Sequence, residues 1–501
     1  MNQKNEKLGK TLKNTFQDWI LDSTSHGFPK IFKTNRITLK IIWTLCLCVC
    51  IGLCAYLVTR SITDYLQYDV TTIIRKTTEI PIELPAISIC HNEMFLTQSG
   101  RDFLLKTMNQ IKISNSDDIL NSSFLEYIFP SKYQESWNLE NLDYIGRINA
   151  LSYNLTNSIR KSIGFSLSDF MNSCYAGGSF CKDEDLVWYF DAALGSCYLL
   201  NSGKFENGSS NSIFKQNNVG LYYGYRLEFL DLNKWDDLNF YKGLKITLYD
   251  HKTKVNTLRG IDIPSQFQTN IVIKKRKFKK MPIPYSECIN DHSNFKSSDI
   301  YQATLNESEI YSQDICYRVC YQAFLISKCK CADPNRPFFK PVESCWSWEQ
   351  FGCVYEVFNE FFFIFDIKEK CSNHCPLECE KTEYDYSLSF TNFPTDLQAK
   401  AIHKSLLKRN SSKNYTLDEI KKNSLQINIY YDQLMYETIE ETSKMELVDL
   451  ISNIGGLLGL FIGISILSFA ELIEIFIEIL FVLYEYKKRS LSTKIEHQEN
   501  I

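Results

Sequence analysis

The sequence has little net charge, −4 over 501 residues, so its overall balance gives it no pull toward nucleic acid. Histidine is scarce, and between residues 60 and 446 only His91, His251, His292, His374 and His403 occur. None stands in a His-Glu-x-x-His pattern, and no Gly-x-Ser-x-Gly lies outside the apolar stretches. An ectoenzyme would therefore lack the commonest zinc and serine constellations. Internal repeats and low-complexity linkers are missing as well. The first apolar run lacks the marks of a secretory signal, because about forty polar residues precede it and no small-residue cleavage site follows.

Two long apolar stretches are present. The first, Ile41 to Thr59, carries no charge; as a helix it is roughly 28 Å long, enough to cross a bilayer core. The second runs from Leu447 to about Tyr484 and exceeds what one crossing requires. Lys4, Lys7, Lys10, Lys13, Lys30, Lys33, Arg36 and Lys40 precede the first stretch, and Lys487, Lys488 and Arg489 follow the second. Positive flanks mark the cytoplasmic side, so both termini are expected inside and the protein at the plasma membrane. The plan is a cytoplasmic segment over 1–40, spans over 41–59 and 447–484, an extracellular domain over 60–446, and a cytoplasmic tail over 485–501.

Modification signals agree with that topology. The six glycosylation sequons, at Asn121, Asn154, Asn207, Asn306, Asn410 and Asn414, all fall between the spans. Of eighteen cysteines, Cys46, Cys48, Cys50 and Cys54 lie in the first span and the other fourteen lie between the spans. An even number in an oxidising compartment predicts a disulfide framework, and disfavours the rival reading of a zinc site around Cys329 and Cys331. The spacing alone leaves the pairing open.

The intervening segment reads as a mixed α/β globular domain. Tyr223–Leu230, Gly243–Tyr249 and Asn270–Ile273 alternate as half-buried strands do. The basic run at 274–280 reads as a solvated strand or loop. Glu307–Lys330 has helical spacing with Cys316 and Cys320 on one face, and Glu369–Glu380 places Cys371, Cys375 and Cys379 at the same interval. Two such helices, if antiparallel, can be stapled rung by rung. Asn410–Lys422 reads as a surface loop.

The second apolar stretch carries features that are costly for a mere anchor. Gly455, Gly456, Gly459 and Gly463 weaken a helix in lipid. Glu471, Glu474 and Glu478 place carboxylates where only a bundle interior or a watery cavity suits them. Gly456, Gly459, Gly463, Leu467, Glu471, Glu474 and Glu478 advance by three or four residues, which on one helix makes a continuous stripe. Two readings fit: a cation pathway assembled from several copies, or tight helix packing with the last glutamates reaching for the inner surface.

Several short motifs occur in a meaningful order. They are His26-Gly27 before the first span, LPAISICHNEMF over 84–95 after it, MPIPYSEC over 281–288, YETIE over 436–440, and Gly463-Ile464-Ser465 within IGGLLGLFIGISILSFAELIE. Together they resemble the degenerin, epithelial sodium channel and acid-sensing channel superfamily over nearly the whole chain. Leu84 stands where the family usually has Phe. A trimeric ATP-gated channel, the other two-span class with a cysteine-rich ectodomain, lacks this Gly-x-Ser context. A non-conducting receptor or adhesion protein explains the disulfides and sequons but leaves the glycines and glutamates without a role.

The resemblance implies a disulfide pairing: Cys90–Cys197, Cys174–Cys181, Cys288–Cys379, Cys316–Cys375, Cys320–Cys371, Cys329–Cys353 and Cys331–Cys345. It implies an α+β membrane protein with palm, finger, thumb, knuckle and β-ball elements, the thumb over about 288–380, and three subunits around one pore. In that reading Gly463, Ile464 and Ser465 form the selectivity filter, with Na+ as the permeant ion and no cofactor or resident metal. Ser452 and its neighbour Asn453 mark the outer pore, Ser452 at the position where bulky residues hold relatives open. Gly459 takes the amiloride position, Glu471 and Glu474 the inner acidic positions, and His26 and Gly27 the gating motif. Tyr68 and Tyr285 couple the ectodomain to the pore, Tyr285 replacing a Trp. Asp69 and Val70 follow Tyr68 where acid-sensing members carry histidines, which turns the expectation toward an extracellular peptide ligand of the RFamide type. Proton, constitutive or mechanical opening are the alternatives. The tail contains no proline, so the family's Pro-Pro-x-Tyr motif is absent.

Overall fold

In this computed structural model, residues 2–23, 27–92, 97–100, 102–103, 106, 155–191, 194–230, 243–290, 298–307, 310–345, 347–364, 370–408 and 415–499 are described. Asn121, Asn154, Asn410, Asn414 and His26 lie outside them. The chain divides into two compact units, Met1–Thr71 with Thr442–Ile501, and Thr72–Glu441.

Among the described residues, helices α1 (Asn2–Asp22), α2 (Phe28–Lys33) and α3 (Ile37–Leu66) lead into strands β1 (Val70–Thr78), β2 (Ile82–Glu83) and β3 (Ala86–His91). Helices α4 (Asn157–Ile163) and α5 (Leu167–Phe170) precede β4 (Met171–Ala176), β5 (Ser179–Phe180), β6 (Leu186–Asp191) and β7 (Gly195–Leu200). Then come β8 (Lys215–Gln216), β9 (Tyr225–Leu230), β10 (Leu244–Tyr249), β11 (Ile261–Ile263), β12 (Phe267–Lys279) and β13 (Cys288–Ile289). Helices α6 (Asp299–Glu307), α7 (Gln313–Cys329) and α8 (Trp348–Asn359) are followed by β14 (Leu377–Glu378) and β15 (Glu380–Asn392). Helices α9 (Asp396–Lys408) and α10 (Leu417–Asn423), strand β16 (Ser424–Ser443), and helices α11 (Leu447–Ile462) and α12 (Ile466–Glu499) complete the order.

The Thr72–Glu441 unit is built on two sheets. The larger runs β15-β12-β16-β9-β4-β5, with β1 also paired to β16, and the smaller runs β11-β10-β3-β7-β6. Strand β16 is central because both of its faces are provided for. Leu425, Ile427, Ile429 and Tyr431 alternate into the apolar core with Ile271, Ile273, Tyr225, Leu227 and Phe229. The intervening Gln426 and Asn428 are equally buried, and stay affordable because Asn428 Nδ2 donates to Asn270 Oδ1 at 2.8 Å and Gln426 Nε2 to Asn428 Oδ1 at 3.2 Å.

A second core lies among α6, α7 and α8, where Tyr301, Tyr321, Val357 and Phe361 pack with half-cystines. Seven disulfides join Cys90–Cys197, Cys174–Cys181, Cys288–Cys379, Cys316–Cys375, Cys320–Cys371, Cys329–Cys353 and Cys331–Cys345. These are the pairs that the resemblance implies.

Several local expectations need correction. The helix predicted over Glu307–Lys330 begins later, at Gln313, and is α7; only Glu307 belongs to α6, which ends there. Of the stretch read as a helix over Glu369–Glu380, only Lys370 and Cys371 are helical among the described residues: after a turn in which Cys375 N–H donates to the Cys371 carbonyl at 2.8 Å, the chain becomes strand. Pro376 cannot donate and so stops that turn. The rungs thus run from α7 to a turn. Of the two readings of the basic run at 274–280, strand holds, since it lies in β12 through Lys279; what needs correction is full solvation, because Lys275 is buried with its Nζ 3.8 Å from Glu83 Oε2. The stretch read as a loop over Asn410–Lys422 runs into helix α10 (Leu417–Asn423), started by the reciprocal Thr416–Glu419 capping box. The strands at Tyr223 and Gly243 begin one or two residues later, at Tyr225 and Leu244.

In the other unit α3 is one helix long and apolar enough to cross a membrane, extending beyond 41–59 at both ends. Of its residues only Cys54 is buried. Helix α3 packs against α11, and α1 packs against α2 and α12. The second apolar stretch is not one helix. It breaks between α11 and α12, so the predicted stripe from Gly456 to Glu478 is not continuous, and α12 runs on past Tyr484 to Glu499.

Candidate functional site at the break between α11 and α12

Helix α11 begins at a capping box, Glu446 N–H donating to Asp449 Oδ2 at 3.0 Å. It ends because Gly463 adopts φ 77° and ψ 17°, a left-handed conformation that glycine enters without the usual Cβ penalty. Gly463 N–H donates to the Gly459 carbonyl at 3.1 Å, and Ile464 N–H to the Leu458 carbonyl at 3.3 Å. The two glycines therefore act at opposite ends of one terminating turn.

Ser465 restarts the helix. Its carbonyl accepts from Ser468 N–H at 3.0 Å, and its own N–H donates to Ser468 Oγ at 3.1 Å. Ser468 is thus the third residue of α12, reaching back to the capping position. It is buried. Sequence reasoning passed it over; the serine three residues after Ser465 was the available signal.

Around the break, Ser452, Asn453 and Gly459 are exposed on α11. Ile464 is partly buried and Ser465 exposed. On α12, Glu474 and Glu478 are exposed, whereas Glu471 is partly buried and its main-chain carbonyl accepts from Trp19 Nε1 at 3.0 Å. Trp19, on α1, is a second residue that sequence reasoning missed, since no spacing rule links positions so far apart in the chain. Gly27, at φ 96°, caps α2, and a Cβ there would stand 3.2 Å from Leu47 Cδ1 on α3.

At the other end of α3, Lys444 Nζ lies 2.9 Å from Asp69 Oδ2, and Lys444 N–H donates to the Asp69 carbonyl at 3.0 Å. Tyr68, at φ 52°, sits beside Tyr65 with ring centroids 6.1 Å apart. Tyr285, in the other unit, donates its N–H to the Pro282 carbonyl at 3.0 Å. Of the two described sequons, Asn306 is exposed on α6, and Asn207 is exposed in a turn where its Oδ1 accepts from Ser209 N–H at 2.9 Å. No group of three or more potential metal ligands occurs among the described residues.

An exposed apolar helix thus lies beside a second apolar stretch that is broken by a left-handed glycine and followed by carboxylates. Residues 20–475 match the amiloride-sensitive sodium channel family, and the chain belongs to that family. It is 25% identical over 480 residues to acid-sensing ion channel 1 of Gallus gallus, covering 93% of this chain and 84% of the relative. It is 24% identical to acid-sensing ion channel 2 of Homo sapiens, over 93% of this chain and 87% of the relative. The epithelial sodium channel subunit beta of Xenopus laevis is 27% identical over 68% of this chain and 52% of its own length. The protein is a membrane-resident cation channel subunit, not an enzyme.

Proposed function

We propose that this subunit forms, with two related or identical copies, a sodium-selective, amiloride-sensitive pore opened by an extracellular neuropeptide. The observation that carries the reading is the break at Gly463-Ile464-Ser465. It takes backbone groups out of the helical ladder in the middle of an apolar stretch, and such backbone is tolerated only where it is buried in protein or lines a water-filled cavity. Freed carbonyls can replace part of a sodium ion's hydration shell. In this reading α3 is the first span, and α11 with the first part of α12 is the second. Both termini are cytoplasmic.

The other residues take roles in order along that path. Ser452 and Asn453 line the outer mouth, Gly459 the amiloride site, and Glu471 and Glu474 the inner cation pathway. His26 and Gly27 belong to gating, and Tyr68 and Tyr285 to coupling with the ectodomain. Peptide opening is supported by Asp69, which stands where acid-sensing relatives carry a histidine and is held by Lys444.

Whole-cell recording of the Ser452→Phe subunit, with and without amiloride, tests the reading. A blocked, sodium-preferring current supports it. Silence with confirmed surface protein, persisting after co-expression with related subunits, returns the chain to a non-conducting role. RFamide-type peptides that evoke no current while acid evokes a large one overturn the peptide part alone.

A further inference from the structure

Outside the proposed pore, the turn over residues 204–210 carries an exposed asparagine whose amide is bonded on one side only. Lys204 and Ser210 form an antiparallel bridge, Phe205 N–H donates to the Ser209 carbonyl at 2.8 Å, and Gly208 N–H donates to the Phe205 carbonyl at 2.9 Å. Gly208 closes the turn at φ 83°, with open space where a Cβ would stand. All of these bonds are local, so the turn forms from its own segment. Within it Asn207 Oδ1 accepts twice from Ser209, from the N–H at 2.9 Å and from Oγ at 2.6 Å. Among the described residues Asn207 Nδ2 has no hydrogen-bond partner. Two donors on the oxygen polarise the amide and make its N–H more acidic, while the nitrogen is left open to solvent.

The turn is also fixed in place. Lys161 Nζ on α4 lies 2.6 Å from Oε1 of Glu206, the residue before Asn207, and 4.9 Å from the ring centroid of Trp188 on β6. Asn306 offers a contrast. It is exposed, but it stands in the last turn of α6, where its backbone is committed to the helix. The next residue, Glu307, is held by Phe338 N–H, which donates to its Oε1 at 3.0 Å, and by an ion pair with Lys254.

We propose that Asn207 carries an N-linked oligosaccharide in the mature protein, standing beside the α4–β6 face, and that folding closes Asn306 to the same modification. The donor is an oligosaccharide on a lipid diphosphate. Asn207 Nδ2 bonds to the anomeric carbon and loses one proton to a base. The bond from that carbon to the phosphate oxygen breaks, and the lipid diphosphate leaves with the electron pair. A bulky, hydrated chain at a fixed turn keeps this face in solvent. The proposal rests on the extracellular placement of the Thr72–Glu441 unit, and its test separates the two.

Full-length protein is biotinylated at the cell surface, recovered, and freed of N-glycans by a peptide N-glycosidase in heavy-oxygen water. Each asparagine that held a glycan then gains a label that peptide mass spectrometry reads. The occupied-to-unoccupied ratio at Asn207 is at least about fivefold that at Asn306. Ser209→Ala, which leaves Asn207 itself in place, removes the Asn207 label and one glycosidase-sensitive step of gel mobility, whereas Ser209→Thr retains both. An unlabelled Asn207 in surface protein labelled at Asn121, Asn154, Asn410 or Asn414 overturns the proposal alone. Equal occupancy at Asn207 and Asn306 overturns the part given to folding. Label at none of the six sequons overturns the extracellular placement, and the proposal with it.

Discussion

Ser465 and Ser468 hold each other across the start of α12: the amide of Ser465 donates to the hydroxyl of Ser468 at 3.1 Å, and the amide of Ser468 returns a bond to the Ser465 carbonyl at 3.0 Å. The hydroxyl is buried, so removing it strands an amide beside the proposed filter. Ser468→Ala costs about 1–2 kcal/mol of local stability. It reduces the sodium-to-potassium permeability ratio, read from reversal potentials. Ser468→Thr, which keeps the hydroxyl, retains most of it.

Gly463 has a narrower tolerance. At φ 77° an L side chain is strained by about 1–2 kcal/mol, and relief requires the α11 terminus to unwind or extend. Gly463→Ala therefore loses sodium preference while surface biotinylation shows normal delivery. Gly455→Ala, at a helical glycine with open space around its Cβ, is neutral or slightly stabilising. Equal effects at the two positions would contradict the assignment.

The Cys320–Cys371 bridge closes a separation of 51 residues and is buried in the α7 core. Replacing both cysteines by alanine lowers stability by about 2–4 kcal/mol. Protease resistance of the full chain reports the loss. Channel selectivity in the surviving surface population stays the same, because the bridge belongs to the Thr72–Glu441 unit and the α11–α12 break to the other.

His251 gives the domain a defined acid response. Asn201 Oδ1 accepts from Phe214 N–H at 2.7 Å, which fixes the amide so that Nδ2 faces His251 Nε2 at 3.3 Å. That ring nitrogen is therefore the acceptor, and the imidazole is neutral. Burial holds its pKa below the ordinary 6.5; Lys275 lowers it further, while Asp250, Glu83 and the Leu84 carbonyl pull the other way. A depressed folded pKa means the contribution is complete above about 6.5 and is lost as pH falls through the folded value. Protease resistance of the wild-type domain should fall more steeply below pH 6.5 than that of His251→Gln. Parallel curves would remove His251 from the account.

The alternation of β9, β10 and the 270–273 part of β12 and the spacing of Cys316 and Cys320 were legible because they are local repeats of period two and period four. The break at Gly463 was legible only as a motif. Periodicity carried the stripe straight through it, since a pattern of glycines and glutamates does not report a single φ. The burial of Lys275 was hidden for a different reason. Read along the chain, 274–280 is a run of charge, and only pairing with β15 and β16 turns one lysine inward toward Glu83. Pro376 was the overlooked sign that Glu369–Glu380 is no helix. Trp19 and Glu471 meet through the packing of two distant helices, which no window along the sequence contains.

The central claim is that the left-handed turn at Gly463 is the sodium filter. Its most direct test is the bi-ionic reversal potential of the Ser452→Phe channel, sodium outside and potassium inside, measured with and without Gly463→Ala. The account predicts a clearly positive reversal potential in the parent that collapses toward zero in the glycine variant, with current retained. A reversal potential that stays the same in both would place selectivity elsewhere in the pore and contradict the account.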